Sequence, residues 1–327
     1  MPKAISWLVH SLLINEEGDV EYSKVVPPQL YKKEKGYGWI HLSAKCSKTR
    51  SWLLKHSGTE KIWINALTAP ETRPRFAKIS SDSFFINLRA INSIKTDEPE
   101  DMISIRLFIT KNQIISSKIY NLKAVDIIEN DFKENNPPKS TARFLLRLIE
   151  YVNIEIENII ASIHEKINDL EEMTLIKHNR DFRHNVINVR RQMIIFRRYL
   201  IPDLEAIRQL SLMSEFFPLG SELHDHLLED IHKMTRYIEE INSIIERAQV
   251  IHEELNNHLT ERLNSSTNKL SLVATIFMPM SLVTGLFGVN LAGIPYASNE
   301  KAFPLFAIIV VGILIFQVII FKLLKWF

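Results

Sequence analysis

Residues 270–289 read LSLVATIFMPMSLVTGLFGV, twenty positions without a charged side chain. As a helix rising about 1.5 Å per residue, this run is roughly 30 Å long, which matches the hydrocarbon thickness of a bilayer. A second uncharged run, AFPLFAIIVVGILIFQVIIF, fills residues 302–321. The residues between are too few for a folded domain, so the tail is expected to be a two-helix hairpin across a membrane. From Leu270 onward the fully charged residues are Glu300, Lys301, Lys322 and Lys325. Arg262 and Lys269 precede the first span, Lys322 and Lys325 follow the second, and the loop carries Lys301, an asymmetry that places both termini in the cytosol. Trp326 beside Lys325 fits an interfacial anchor. Pro279 removes one backbone hydrogen bond from the first span, which membrane helices accept when a neighbour satisfies the freed carbonyl.

Outward from this tail the chain is a different phase. The 327 residues are 46% apolar and 24% charged, with nearly all the charge before residue 270. A net charge of +2 lacks the basic excess that a nucleic-acid partner requires. The single cysteine, Cys46, cannot form an intrachain disulfide, which suits a reducing compartment. The apolar stretch Ala4–Ile14 is interrupted by His10 and Ser11 and has no small-residue cleavage site, so it reads as a strand and not a signal peptide.

Residues 1–136 alternate short β-rich and helical runs, with strands expected at Trp7–Leu13, Tyr37–Leu42, Lys61–Leu67, Ser83–Leu88, Ile103–Thr110 and Gln113–Ser117. Asn135-Asn136-Pro137-Pro138 ends this α/β domain, and Ser140 or Thr141 can cap a new helix. Residues 137–269 read as a helical and stalk region, with helices over about 140–176 and 181–212 and a third from about 221 running into the membrane; 270–327 is the hairpin. Leu227, Ile231, Met234, Ile238, Ile241, Ile245, Ala248, His252, Leu255 and Leu259 alternate spacings of four and three, a heptad seam that pairs helices within one subunit or between copies.

The first span ends Thr284-Gly285-Leu286-Phe287-Gly288-Val289-Asn290-Leu291-Ala292-Gly293-Ile294-Pro295. Together with Phe277-Met278-Pro279, the closely following second span, the basic C-terminal end, Glu71-Thr72-Arg73-Pro74-Arg75 and Pro99-Glu100-Asp101-Met102, it resembles the CorA superfamily of divalent-cation transporters, and its Gly-Val-Asn form most resembles the zinc-transporting ZntB branch. The resemblance covers essentially the whole chain. It implies a funnel-shaped homopentamer in which the stalk helix and first span line a central axis. Gly288, Val289 and Asn290 would then form the selectivity mouth, and Met278 and Ser281 would line the pore. Asn264, Thr267, Ser271, Ala274 and Gly285 share that helical face. Amide and carbonyl oxygens can hold a hydrated divalent ion without binding it too tightly to release. Gly and Asn are also ordinary helix C-cap residues, and small residues also serve plain helix packing.

Some residues fit this picture poorly. Zinc prefers nitrogen and sulfur ligands, whereas the proposed mouth offers neutral oxygens and methionine. The loop has no acid before Glu300, where the magnesium branch carries one near its signature. His226 and Asp230, four apart, could share a helix face as metal ligands. His252 interrupts the seam, where it can fix register or take up a proton. Residues 177–198 carry seven Lys or Arg and one acid, while Glu165, Asp169, Glu171 and Glu172 end the preceding helix, which points to charge pairing within or between subunits. No nucleophile constellation, phosphate loop or closed zinc motif marks an enzyme.

These residues together imply an α+β cytosolic domain followed by long coiled-coil stalk helices and a two-helix transmembrane hairpin. The expected activity is transport of divalent cations, foremost Zn2+, across the inner membrane by a multi-pass homopentamer in the lipid bilayer, without a resident cofactor and with proton coupling implied by the branch. The alternatives are a Mg2+ or Co2+ channel of the same fold and a non-conducting membrane-anchored scaffold or sensor.

Overall fold

The structure, a computed structural model, describes residues 7–15, 17–23, 36–70, 73–91, 102–134, 136–174, 180–289 and 299–323. The chain forms two compact units, Met1–His252 and Glu253–Phe327.

In the first unit seven strands, β1 (Leu8–Ile14), β2 (Val20–Ser23), β3 (Tyr37–Ser43), β4 (Arg75–Lys78), β5 (Ser83–Ala90), β6 (Ile103–Thr110) and β7 (Gln113–Lys118), make one sheet of order β2-β1-β3-β7-β6-β5-β4. Its pairs are antiparallel except β3 with β7. Side chains alternate across the pleat, so each strand serves two cores. On one face Leu13, Ile40, Leu42, Phe85, Phe108 and Ile115 pack with Leu53 of α1 (Ser47–His56) and Ile64 and Leu67 of α2 (Lys61–Thr68). On the other, Trp39 packs at a tilt on Phe132 of α3 (Lys123–Lys133) and edge to face on Phe144 of α4 (Thr141–Thr174), and Phe84 meets Phe216 edge to face.

Residues 61–67, expected as a strand, are helical. Strand alternation would place Ile62, Ile64 and Ala66 on one face. Instead Ile64 and Leu67, three apart, are buried while Ile62 is 60% exposed, and the Thr68 hydroxyl donates to the Ile64 carbonyl one turn back.

On that second face lies an aromatic and imidazole cluster. His10 of β1 stacks on His41 of β3 with ring centroids 5.1 Å apart and meets the Trp39 ring edge-on at 4.1 Å. His41 Nδ1 hydrogen-bonds the Ser116 hydroxyl at 2.7 Å, and Trp39 Nε1 donates to that oxygen at 2.8 Å. Burial lowers the His10 pKa from 6.5 to about 4, with Glu129, 3.8 Å away, opposing the shift and Lys118 and Lys133 adding to it. His41, wholly enclosed, is held well below the usual range by burial, then by His10 and Lys118.

Three long helices follow: α4, α5 (Arg180–Leu210) and α6 (Glu222–Phe287). The Ser140 hydroxyl accepts the Arg143 N–H and the Ser221 hydroxyl accepts the His224 N–H, both at 3.2 Å, so each serine caps its helix. Gly220, at φ +75°, makes the turn into α6. Leu227, Met234, Ile241, Ala248 and Leu255 of the expected seam are buried. The buried stripe also includes Asp230, Tyr237, Ile244 and Ile251, while Ile238 and His252 stay partly open. Both α4 and α5 cover this side of α6: Tyr237 donates to Glu157, Arg247 binds Glu171 and Asn168, and Arg197 donates to Asn242. A stripe touching two helices must be wider than a two-helix seam. Among the described residues Arg183, Arg190, Arg191, Arg197 and Arg198 of α5 make no ion pair, and Glu171 of the acidic end of α4 is paired with Arg247 of α6.

Candidate functional site

The second unit holds the remainder of α6 and helix α7 (Ala302–Leu323), and both helices contain a stretch long and apolar enough to cross a membrane. Contacts between them within this unit include an aromatic pair and a hydrogen bond. Phe287 and Phe306 rings lie 5.2 Å apart, and Gln317 Nε2 donates to the Thr275 carbonyl at 3.4 Å. Both fall on one antiparallel register, as a tight hairpin requires.

Leu272, Ile276, Met280 and Val283 are half-buried and form one stripe of α6. At about 100° per residue the opposite side carries Thr267, Ser271, Ala274, Met278, Ser281, Gly285 and Gly288. Those residues, with Asn264, are exposed, Met278 at 70%. The small and polar face is thus open, as are Leu270, Val273, Phe277, Leu282 and Leu286 beside it, and the stripe of Leu272, Ile276, Met280 and Val283 is half-buried.

The hydroxyls divide in the same way. Off the open face, Thr275 donates to the Ser271 carbonyl at 2.7 Å and Thr284 to the Met280 carbonyl at 2.9 Å, each satisfied within its own helix. On it, Thr267, Ser271 and Ser281 make no such side-chain bond among the described residues. A hydroxyl facing hydrocarbon closes on its own backbone, whereas one facing water has no need to.

At the end of α6 the Gly288 N–H is shared between the Thr284 and Gly285 carbonyls, at 2.9 and 3.2 Å. A Cβ on Gly288 would stand 2.9 Å from the Thr284 carbonyl oxygen, so this tight ending needs glycine. Val289 follows, 45% exposed; Asn290, the third residue of the expected mouth, lies outside the described residues.

The candidate metal ligands of the first unit do not converge. His226 is solvent-facing, with Nε2 3.8 Å from Glu222 Oε1. Asp230 is 4% exposed and accepts a hydrogen bond from Asn153 Nδ2 at 3.1 Å, and burial, its largest influence, raises its pKa. His252 lines a groove of about 590 Å³ between α5 and α6 with Ile187, Arg190, Arg191, Ile194 and Arg198. Among the described residues no group of three or more His, Cys, Asp or Glu is placed to hold a metal ion. Sequence reasoning passed over Gln317, although it is the one polar side chain in residues 302–321.

A mixed sheet domain joined through one long helix to two stretches long and apolar enough to cross a membrane defines a membrane protein with a separate folded domain. The chain belongs to the CorA-like Mg2+ transporter protein family, whose model matches residues 34–325. It is 29% identical over 289 residues to the divalent cation transporter CmaX of Pseudomonas aeruginosa, covering 88% of this chain and 87% of that one. It is 31% identical over 274 residues to the zinc transport protein ZntB of Pectobacterium carotovorum, covering 84% and 83%. The solved structure of full-length CmaX superposes with a TM-score of 0.82 at 27% identity over 100% of both chains. The activity of the chain is accordingly divalent-cation transport.

Proposed function

We propose that the chain carries Zn2+ across the inner membrane, with both termini in the cytoplasm, through a central pore of a homopentamer. The observation that supports this most is the division of hydroxyls on α6. Ser271 and Ser281 stand on the open face without closing on the helix backbone, as a wet conduit demands, while Thr275 and Thr284 off that face are self-satisfied. In this reading Asn264, Thr267, Ser271, Met278 and Ser281 line the conduit, and Gly288, Val289 and Asn290 form its mouth. Neutral oxygens there would hold the ion with its water shell, which favours release over tight capture. Assembly fits the exposed stripe of α5, where Ile187 and Ile201 are 41% and 49% exposed and Arg191 and Arg198 have no ion-pair partner among the described residues. An acidic face of a second copy would complement it, such as Glu165, Asp169 and Glu172 of α4.

Zinc is favoured by the Gly-Val-Asn form of the signature and by the relatives named as zinc transport proteins. A broader divalent selectivity, including Mg2+ and Co2+, is the second reading, favoured by the similarity to CmaX, named a divalent cation transporter. Uptake into proteoliposomes containing the full chain, comparing Zn2+ with Mg2+ with and without a pH gradient, separates the two. Zn2+ flux that follows the gradient supports the coupled zinc reading, and Mg2+ flux indifferent to it overturns it. Asn290→Ala should abolish uptake with assembly intact; unchanged uptake removes Asn290 from the mouth.

A further inference from the structure

In an α-helix each N–H bonds the carbonyl four residues back, and proline has no N–H to give. Pro279 therefore leaves the Thr275 carbonyl of α6 without its helical donor. In a membrane such an orphan costs more than in water, because no solvent replaces the lost bond. The Thr275 carbonyl is the atom that Gln317 Nε2 of α7 reaches, at 3.4 Å. The Thr275 hydroxyl cannot serve it, since it points back to the Ser271 carbonyl.

We propose that Gln317 is a positioning residue for transport: its amide stands in for the hydrogen bond that Pro279 deletes, and so fixes whatever bend the proline introduces in α6 against α7. Three features carry the assignment. Gln317 is the one polar residue of residues 302–321, so a donor is placed at one depth of an otherwise apolar helix. It lies on the antiparallel register set independently by Phe287 and Phe306. Its target is the carbonyl that backbone geometry predicts to be orphaned. The bend would matter because Met278 and Ser281 flank Pro279, so a shift of its angle moves the face read above as the conduit; the inference rests on that reading.

The test is a two-by-two set of full-length proteins in liposomes: wild type, Gln317→Leu, Pro279→Ala and the double variant. Zn2+ uptake and thermal unfolding in detergent are measured for each. In the wild-type background Gln317→Leu should lower uptake about three- to tenfold, the range that one interhelical hydrogen bond in a membrane supplies. Pro279→Ala returns an N–H to the Thr275 carbonyl. In that background Gln317→Leu should change uptake less than about twofold, and its effect on unfolding temperature should shrink in parallel. Equal losses in both backgrounds would overturn the proposal, since Gln317 would then act independently of the proline. If wild type carries neither Zn2+ nor Mg2+, the conduit reading fails while the unfolding cycle still decides whether Gln317 answers Pro279.

Discussion

Acid should destabilise the sheet domain through His10 before most carboxylates titrate. An unfolded imidazole takes its proton near pH 6.5, whereas folded His10 stays neutral down to about pH 4. Folding therefore favours the unprotonated form. Stability is complete above pH 6.5, falls as pH drops, and levels off once folded His10 itself protonates. The full span is worth about 3 kcal/mol, of which about 2 kcal/mol is lost by pH 5. His41 is also held well below the usual imidazole range by burial and adds in the same direction. Glu129, 3.8 Å from His10, favours the proton, but burial outweighs it and Lys118 and Lys133 oppose protonation. The assay is urea unfolding of the full chain at pH 7, 6 and 5, followed by tryptophan fluorescence, with Trp39 a reporter 4.1 Å from His10. His10→Phe keeps a ring against Trp39 and His41 but cannot titrate. Whatever it costs at pH 7, the gap between wild type and variant should move in the variant's favour by about 2 kcal/mol at pH 5. Parallel stability profiles for the two proteins would refute the argument.

Gly288→Ala puts a methyl 2.9 Å from the Thr284 carbonyl oxygen, so uptake should fall at least tenfold with membrane insertion retained; near-normal uptake would show that the helix end yields at little cost. Asp203 of α5 is buried, accepts the Arg89 N–H at 3.0 Å, and has its pKa raised well above the usual range by burial. A carboxyl so raised weakens the fold as pH climbs past its unfolded value. Asp203→Asn should therefore raise the unfolding temperature at pH 8 relative to wild type and converge with it near pH 4, and a gap independent of pH would contradict this. Arg191→Glu with Arg198→Glu should make assembly weaker and invert its salt dependence in native mass measurements, with no change in monomer stability, because neither arginine has an internal ion pair among the described residues. Unaltered assembly would exclude that stripe from the contact.

Long elements were legible because many residues vote for them. Ser83–Ala90 and Ile103–Thr110 are eight-residue strands buried almost throughout, and their apolar content announced them. The four-residue strands Val20–Ser23 and Arg75–Lys78 are the two edges of the sheet, hold too few apolar positions for a period, and exist because a neighbour pairs with them. For α6 the seven-residue recurrence of Leu227, Met234, Ile241 and Ala248 was readable. Its flank was not, since Asp230 looks like a surface residue until Asn153 is seen to meet it. In the hairpin, charge counting located both helices, and the same counting hid Gln317, which carries no charge.

The two halves of α6 meet one requirement, satisfying polar groups away from water, by different means. Between residues 222 and 252 the buried carboxyl of Asp230 is met by an amide from another helix. In the apolar half Thr275 and Thr284 turn onto their own backbone, and the one backbone carbonyl that proline orphans is met from α7. After those needs are met, the open hydroxyls left on the apolar half are Ser271 and Ser281, on the side away from the half-buried stripe. Against another copy of this face those hydroxyls would pair with one another, and in lipid each would turn onto its own backbone as Thr275 and Thr284 do. Water or a hydrated ion leaves them pointing outward as they stand, which is the arrangement the conduit proposed above calls for.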